Sequence, residues 1–253
     1  AEKTFQAETS SEALTICLSE NGKIDFAYME NLLGKNKDEI ISDLIKSEEI
    51  YKVPFEDAYE LRNIYLSGYV KDKLKAAKVA LIYDSAYQVN VDALEKVQPK
   101  DLVYNEIYAN LGSTWIPVKV YEKFMHDVLE TPAYMKRDCK IVYACDRYYI
   151  TDKNVNTVKS NNIYGTKDKN GYELLEDALN MISTKVYKTV GDGEGGEKRV
   201  VDSQKTQIVQ TKQAELKRKF QDWVWNDFDR RQYLVRKYND ELNNIVEPVY
   251  DGS

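Results

Sequence analysis

The chain has 253 residues, of which 43% are hydrophobic and 31% are charged. This is enough for one large domain or two small ones, each with a hydrophobic core. Its net charge is -6, and such an acidic balance excludes indiscriminate phosphate binding while leaving room for a local basic surface.

The cysteines and the hydropathy pattern indicate a cytoplasmic protein. Cys17, Cys139 and Cys145 include no CxxC pair, which argues against a disulfide framework and against a zinc ribbon. No apolar stretch is long enough to span a membrane, and no signal peptide opens the chain. Because the sequence lacks an initiator Met and stops soon after a predicted helix, we expect an excised segment of a longer protein.

Three short helices and a hairpin are predicted near the N-terminus. Apolar stripes predict helices that begin after Thr9, after Asp25 and near Lys37. Residues 50–53 and 59–62 then form a strand, a turn and a strand. This order is typical of a winged helix-turn-helix and also of a plain helix bundle with a hairpin. The helical stripes must bury against each other, which predicts one core containing Leu14, Ile40, Leu44 and Ile45.

The rest of the chain alternates helices with short hairpins. Helices are predicted within residues 66–97 and over 99–111, 117–129 and 172–181. Strands are predicted within 139–150, a polar loop over 152–170, and a second hairpin formed by 185–190 and 198–201. Two long helices follow, one capped by Ser203 and one that begins at Asp227 and ends before Pro248.

The predicted fold class is therefore mainly α with small β elements (α+β), with a possible winged helix at the N-terminus and long helices at the C-terminus. The predicted division is a helical or winged unit at 10–66, a helical linker at 67–112, an α+β unit at 113–201 and long helices at 202–248.

No residue pattern predicts a catalytic, cofactor or metal site. His126 is the only histidine, and general acid–base chemistry would need partners that the sequence does not supply, so we expect a surface side chain. The glycine run at 191–196 lacks the order of a phosphate-binding loop and is typical of a hairpin tip.

Two groups of basic residues are candidates for nucleic-acid binding. The first precedes Trp223 and Trp225 on a predicted helix, and Lys or Arg beside aromatics can bind by charge and stacking. A solvated helix face with buried tryptophans explains the same pattern. The second lies near the third helix and hairpin, although a groove-reading helix is normally more basic. The candidates are Lys212, Lys217, Arg218 and Lys219 in the first group and Lys35, Lys37 and Lys52 in the second.

Several strings resemble one family of large proteins. They include LSENGKIDFAYMENLLG, IYLSGYVKDKLKAA, VDALEKVQPKDL, NNIYGTKDKNGYELLEDALNM and KRVVDSQKTQIVQTKQAELKRKFQDWVWND. Together they are similar to proteins of conjugative elements and prophages that join an N6-adenine DNA methylase-like region to an SNF2-like superfamily II helicase. The resemblance runs from about residue 11 to the end and implies a segment between the two catalytic parts.

The resemblance transfers no catalytic residue. The methylase NPP[FY] motif, the GKT phosphate loop and the DExx box are absent from this sequence. ATP and S-adenosylmethionine are therefore cofactors that the resemblance implies for the longer protein, not for this segment. Two hypotheses remain open: an accessory module that engages DNA, or a connector that docks the helicase and methylase-like parts without touching DNA.

Overall fold

The chain folds into two compact units, which are described separately. A computed structural model describes residues 6–193 and 195–249. Residues 6–101 and 239–249 form the N-terminal unit, and residues 102–238 form the central unit. The fold is mainly α with small two-stranded antiparallel sheets, which confirms the predicted class. The predicted division at residues 66, 112 and 201 stays a prediction.

The N-terminal unit begins with three helices and a hairpin, the order of a winged helix. Its elements in chain order are α1 (Ser10–Asn21), α2 (Phe26–Leu33), α3 (Lys37–Lys46), β1 (Ile50–Lys52), β2 (Tyr59–Leu61), α4 (Arg62–Tyr65), β3 (Gly68–Tyr69), α5 (Val70–Tyr83) and α6 (Gln88–Lys96). Thr9, Asp25 and Asn36 cap the first three helices with side-chain oxygens. Each cap satisfies a backbone N–H that the helix leaves free.

The helices of the winged helix share one hydrophobic core. Leu14, Ile40 and Leu44 are buried together, and Ile45 packs against them while partly exposed. The predicted core is therefore confirmed. The spacing of the apolar residues along α1 and α3 places these side chains on the inner faces of the two helices.

Helices α5 and α6 belong to the same unit and pack on a second core. Tyr51 of β1 stacks on Tyr65 with ring centroids 5.0 Å apart, and the buried Asn90 amide donates to the Tyr65 hydroxyl and to the Lys52 carbonyl. Strand β8 (Ile245–Val246) returns from the end of the chain and pairs with β3.

Among its described residues, the central unit contains four α-helices and two hairpins. Its elements are α7 (Val118–Val128), β4 (Ile141–Ala144), β5 (Arg147–Ile150), α8 (Gly171–Leu179), β6 (Tyr187–Gly191), β7 (Glu197–Val201), α9 (Ser203–Asn226) and α10 (Phe228–Glu241), the last of which continues past residue 238. Aromatic rings from α7 and α9 form the centre of its core. Phe220 makes an edge contact with Phe124 at 5.0 Å and a tilted contact with Tyr121 at 5.4 Å.

The helix predicted over residues 99–111 is wrong. The segment is a loop with one 3-10 turn at Tyr104–Glu106. Ile107, Ala109 and Leu111 are buried while Tyr108 between them is 84% exposed. Burial at every second residue is the pattern of extended backbone, not of a helix.

The second long helix ends earlier than predicted, and the first has a different cap. Helix α10 ends at Glu241, because the chain then turns so that Ile245 pairs with Tyr69. In this turn the Asn243 side chain donates to the Lys100 carbonyl and to the Asn239 side chain. Asp202 rather than Ser203 caps α9, accepting from the Lys205 backbone N–H.

The polar segment 152–170 is ordered by internal hydrogen bonds and contains a short π-helix at Lys159–Ile163. Ser160 is fully buried and bonds the Val155 carbonyl at 3.0 Å. Thr157 donates to the Leu129 carbonyl at 2.7 Å. Gly165 fits this turn because a Cβ there would overlap the Ser160 carbonyl oxygen.

We predict that Leu44→Ala destabilises the winged helix by about 2–5 kcal/mol, since Leu44 is fully buried and its removal leaves a cavity. Chemical denaturation followed by circular dichroism measures the change. Ile82→Ala is the control, because Ile82 is 78% exposed, and it should shift stability by less than about 0.5 kcal/mol. Equal effects of the two substitutions would contradict the core assignment.

We also predict that Gly165→Ala destabilises the central unit by about 1–3 kcal/mol, because the new methyl group meets backbone atoms that cannot move aside. Gly191→Ala is the matched control, since nothing lies within 4 Å of a Cβ at that position. Thermal unfolding followed by tryptophan fluorescence reports on this unit, which contains all three tryptophans. Unchanged unfolding of Gly165→Ala would show that the segment relaxes around the methyl group.

Candidate nucleic-acid interface

Helix α9 carries the first group of candidate residues. Its core-facing side is set by the buried residues Thr206, Val209, Gln213, Leu216, Phe220 and Val224. Consecutive side chains leave a helix at about 100° intervals, so Arg218 lies nearly opposite Leu216, with Lys217 and Lys219 on the two flanks. The three are exposed and form no ion pair with any described residue. They therefore form a collar of positive charge around one turn rather than a flat row.

Lys212 has a different role from its neighbours. It is half-buried, and its Nζ donates to the Asn162 carbonyl at 3.2 Å. One heptad earlier, Lys205 pairs with Asp168 at 2.9 Å. Both lysines tie the polar segment 152–170 to α9, so Lys212 is less available to a ligand than Lys217, Arg218 or Lys219.

The arginines after the tryptophans act within the fold. Arg230 donates to the carbonyls of Val224 and Trp223, and its guanidinium lies 3.6 Å from the centre of the Trp223 indole. Arg231 donates to the Trp225 carbonyl. Cations are favoured at helix C-termini, where carbonyls lack partners. These contacts explain the aromatic and basic pattern as a cap on α9.

The second group of candidates lies on the winged helix among acids and aromatic rings. Lys35 pairs with Asp43 at 3.1 Å. The ammonium of Lys37 lies over the Phe26 ring at 5.5 Å, and that of Lys52 lies over the Tyr87 ring at 5.8 Å. Each of these cations thus has an internal partner, which reduces its attraction for phosphate.

Charge is separated strongly along the chain. Residues 6–60, which form the winged helix, contain thirteen acidic and five basic residues, a net charge of -8. Residues 102–238, which form the central unit, contain twenty-three basic and nineteen acidic residues, a net charge of +4. Hydrogen bonds from Ser10 and Lys35 hold the pKa of Asp43 on α3 below its usual range, which favours the charged carboxylate of Asp43. The surface suited to an anion is therefore in the central unit.

Other exposed cations of the central unit lie on its two hairpins and in the segments that lead into them. Whole-chain composition hides them, since acids elsewhere outweigh them. The cations that form no ion pair within the described part of the central unit include Lys136, Lys140, Arg147, Lys185, Lys198 and Arg199.

The position of the single histidine differs from the one expected from the sequence. His126 is half-buried rather than on the surface, and its buried Nδ1 has no hydrogen-bond partner. Desolvation lowers its pKa below the usual value, which favours the neutral imidazole. No group of three His, Cys, Asp or Glu residues within 6–193 and 195–249 could hold a metal ion.

No helix in the described ranges is both long and apolar enough to cross a membrane.

Comparison with known families matches both units. Residues 110–244 match a family described as "Domain of unknown function (DUF8437)", and this match covers more than half of the chain. The chain belongs to that family. Residues 6–60 match the description "Probable helicase, winged helix domain", in agreement with the order of α1, α2, α3, β1 and β2. No curated protein and no solved structure matches the chain. The chain is thus a helicase-associated segment with a winged helix at its N-terminus.

The cysteines give a direct test of the described packing. Cys145 is exposed, Cys17 and Cys139 are buried, and burial raises the pKa of the Cys139 thiol to about 11. Because the thiolate is the attacking species, we predict one fast thiol with a disulfide reagent at pH 8 and three in denaturant. Cys145→Ser should remove the fast reaction, and a fast thiol that survives this substitution would contradict the burial of the other two.

Proposed function

We propose that this segment is a non-catalytic accessory part of a large methylase- and helicase-containing protein of a mobile element, and that it positions DNA for the neighbouring catalytic parts. ATP and S-adenosylmethionine belong to those parts and not to this segment. The place of action is the cytoplasm. The DNA contact is made by the central unit, where Lys217, Arg218 and Lys219 are exposed and form no ion pair with any described residue.

The observation that carries this proposal is the separation of charge. Duplex DNA presents one negative charge about every 1.7 Å along its axis. A winged helix of net charge -8 would meet that field with repulsion, and Asp38, Glu39 and Asp43 lie on the very helix that would enter a groove. The collar of Lys217, Arg218 and Lys219 is attracted by the same field, because these three cations form no ion pair within the described residues.

The winged helix then serves as a protein-docking module within the longer protein. Groove-reading helices supply Arg, Lys, Asn or Gln to base edges, whereas α3 supplies mostly acids and aliphatic residues. For the winged helix, this is the same role as in the connector hypothesis: it binds neighbouring protein parts and does not touch DNA. The complete connector hypothesis, in which no unit touches DNA, is the second candidate and is favoured by the net charge of -6.

DNA titrations with three variants of equal charge change test the proposal. Lys217→Gln with Arg218→Gln and Lys219→Gln removes the collar, and Lys35→Gln with Lys37→Gln and Lys52→Gln removes the winged-helix candidates. The control is Lys123→Gln with Lys159→Gln and Lys169→Gln, because these lysines already pair with Asp127, Glu130 and Glu173. Fluorescence anisotropy with a DNA duplex at several salt concentrations gives the affinity and the salt slope.

We expect the collar variant to bind more weakly and to flatten the salt slope by up to about 2.7, since each phosphate contact contributes about 0.9. The winged-helix variant and the control should bind like wild type. If wild type binds no DNA at low salt, the DNA proposal fails and the complete connector hypothesis replaces it. If the winged-helix variant alone loses affinity, the DNA contact lies on the winged helix instead.

A further inference from the structure

Strands β6 and β7 form a ribbon that projects from the central unit, here called the β-arm (residues 187–193 and 195–201). Every side chain in its two strands is exposed or half-buried. Neither strand pairs with a third strand within the described residues. An isolated two-stranded ribbon gains little from burial and is marginal by itself in water, so its persistence depends on how its root is held.

The root of the β-arm is fixed by hydrogen bonds to α9. The Val186 backbone N–H donates to the Thr206 hydroxyl at 3.0 Å, and that hydroxyl donates back to the Val186 carbonyl at 3.2 Å. The Asp202 N–H also donates to the Val186 carbonyl, at 2.8 Å. These bonds are largely protected from solvent. The β-arm therefore leaves the unit in a defined direction even though its strands lie in solvent.

The charged residues of the β-arm change sign from its stem to its tip. Lys198 and Arg199 lie on β7 and Lys188 lies on β6, all on the stem. Lys198 forms no ion pair with any described residue, whereas Lys188 lies 3.8 Å from an Asp202 carboxylate oxygen and the Arg199 guanidinium lies 4.6 Å from the centre of the Tyr187 ring. Asp192 and Glu197 lie near the tip, where Asp192 accepts a hydrogen bond from the Gly196 N–H at 2.8 Å. Side chains alternate between the faces of a strand, so Arg199 points to one face and Lys188 and Lys198 to the other. A cationic stem thus carries an acidic tip.

We propose that the β-arm enters the major groove of B-form duplex DNA tip first, with its stem cations at the phosphate level. This inference rests on the proposed function. The major groove is about 12 Å wide and about 8.5 Å deep and admits a two-stranded ribbon. At about 3.3 Å per residue, that depth accommodates two to three residues of each strand beyond the rim. The rim then falls beside Lys198 and Arg199, with Lys188 one step further out.

The acidic tip supports this direction of entry. Carboxylates are repelled by the phosphate rows, but on the groove floor they can accept from the amino group of cytosine. Cations at the rim contact the phosphates of both strands, because they occupy both faces of the ribbon. A-form RNA has a deep and narrow major groove that side chains cannot read, so this geometry selects duplex DNA over duplex RNA.

The test uses the full chain and a β-arm variant, Lys188→Gln with Lys198→Gln and Arg199→Gln. All three side chains are exposed, so the thermal unfolding of the variant should match wild type. The control is again Lys123→Gln with Lys159→Gln and Lys169→Gln, which removes the same charge. The probes are a DNA duplex, the same duplex with bulky substituents that fill its major groove, and an RNA duplex of the same sequence.

The β-arm variant should bind ordinary duplex at least about tenfold more weakly than the control, with a salt slope flatter by about 2.7. Wild type should bind the groove-filled DNA and the RNA as weakly as the variant binds ordinary DNA. If wild type and control bind duplex DNA and the β-arm variant binds with the same affinity and slope, the β-arm proposal is overturned and the proposed function stands. Equal wild-type affinity for groove-filled DNA also overturns it. If wild type binds no DNA, both proposals fall.

Discussion

The buried amide of Gln213 is the interaction on which the central unit depends. Its Nε2 donates to the Ile182 carbonyl at 2.9 Å and to the Thr184 hydroxyl at 3.1 Å, and it lies 3.3 Å from the Leu174 carbonyl. One side chain thus joins α9 to the end of α8 and to the segment that leads into the β-arm. A buried amide that lost these partners would retain its full desolvation penalty. The network therefore fixes which face of α9 is buried, and with it which faces present cations to solvent.

Local signals predicted much of the fold because they act within a few residues. Capping residues such as Asp25 and Asn36 and the apolar spacing of α3 fixed the helices of the winged helix before any tertiary contact was known. The predictions failed where contacts between residues far apart in the sequence determine the local backbone conformation. Residues 107–111 are not helical because Ala109 and Leu111 reach the core of the central unit, and α10 ends where the chain turns to pair Ile245 with Tyr69. Neither partner can be inferred from a short window of sequence.

The candidate site was predictable only in part, for a related reason. A cluster of lysines can be counted in the sequence, but whether a lysine is free depends on what lies opposite it. Lys212 and Lys219 share a helix flank, yet only Lys212 has the Asn162 carbonyl within reach. Trp223, which follows the basic cluster in the sequence, stacks on Arg230 within the fold. Residue type thus predicts which side chains are able to bind nucleic acid. Packing within the fold then determines which of them remain available for a ligand.

Net charge is a poor guide to this chain because salt limits how far each charge acts. At an ionic strength of about 0.1 M, the field of a solvent-exposed charge is largely screened beyond about 10 Å. The acids of the winged helix therefore repel a phosphate only near their own surface, and the cations of the collar and the β-arm attract one only near theirs. Local balance, not the total of -6, determines where an anion binds. For the same reason, the pairing of Lys35 with Asp43 matters more to DNA than the number of lysines in the sequence.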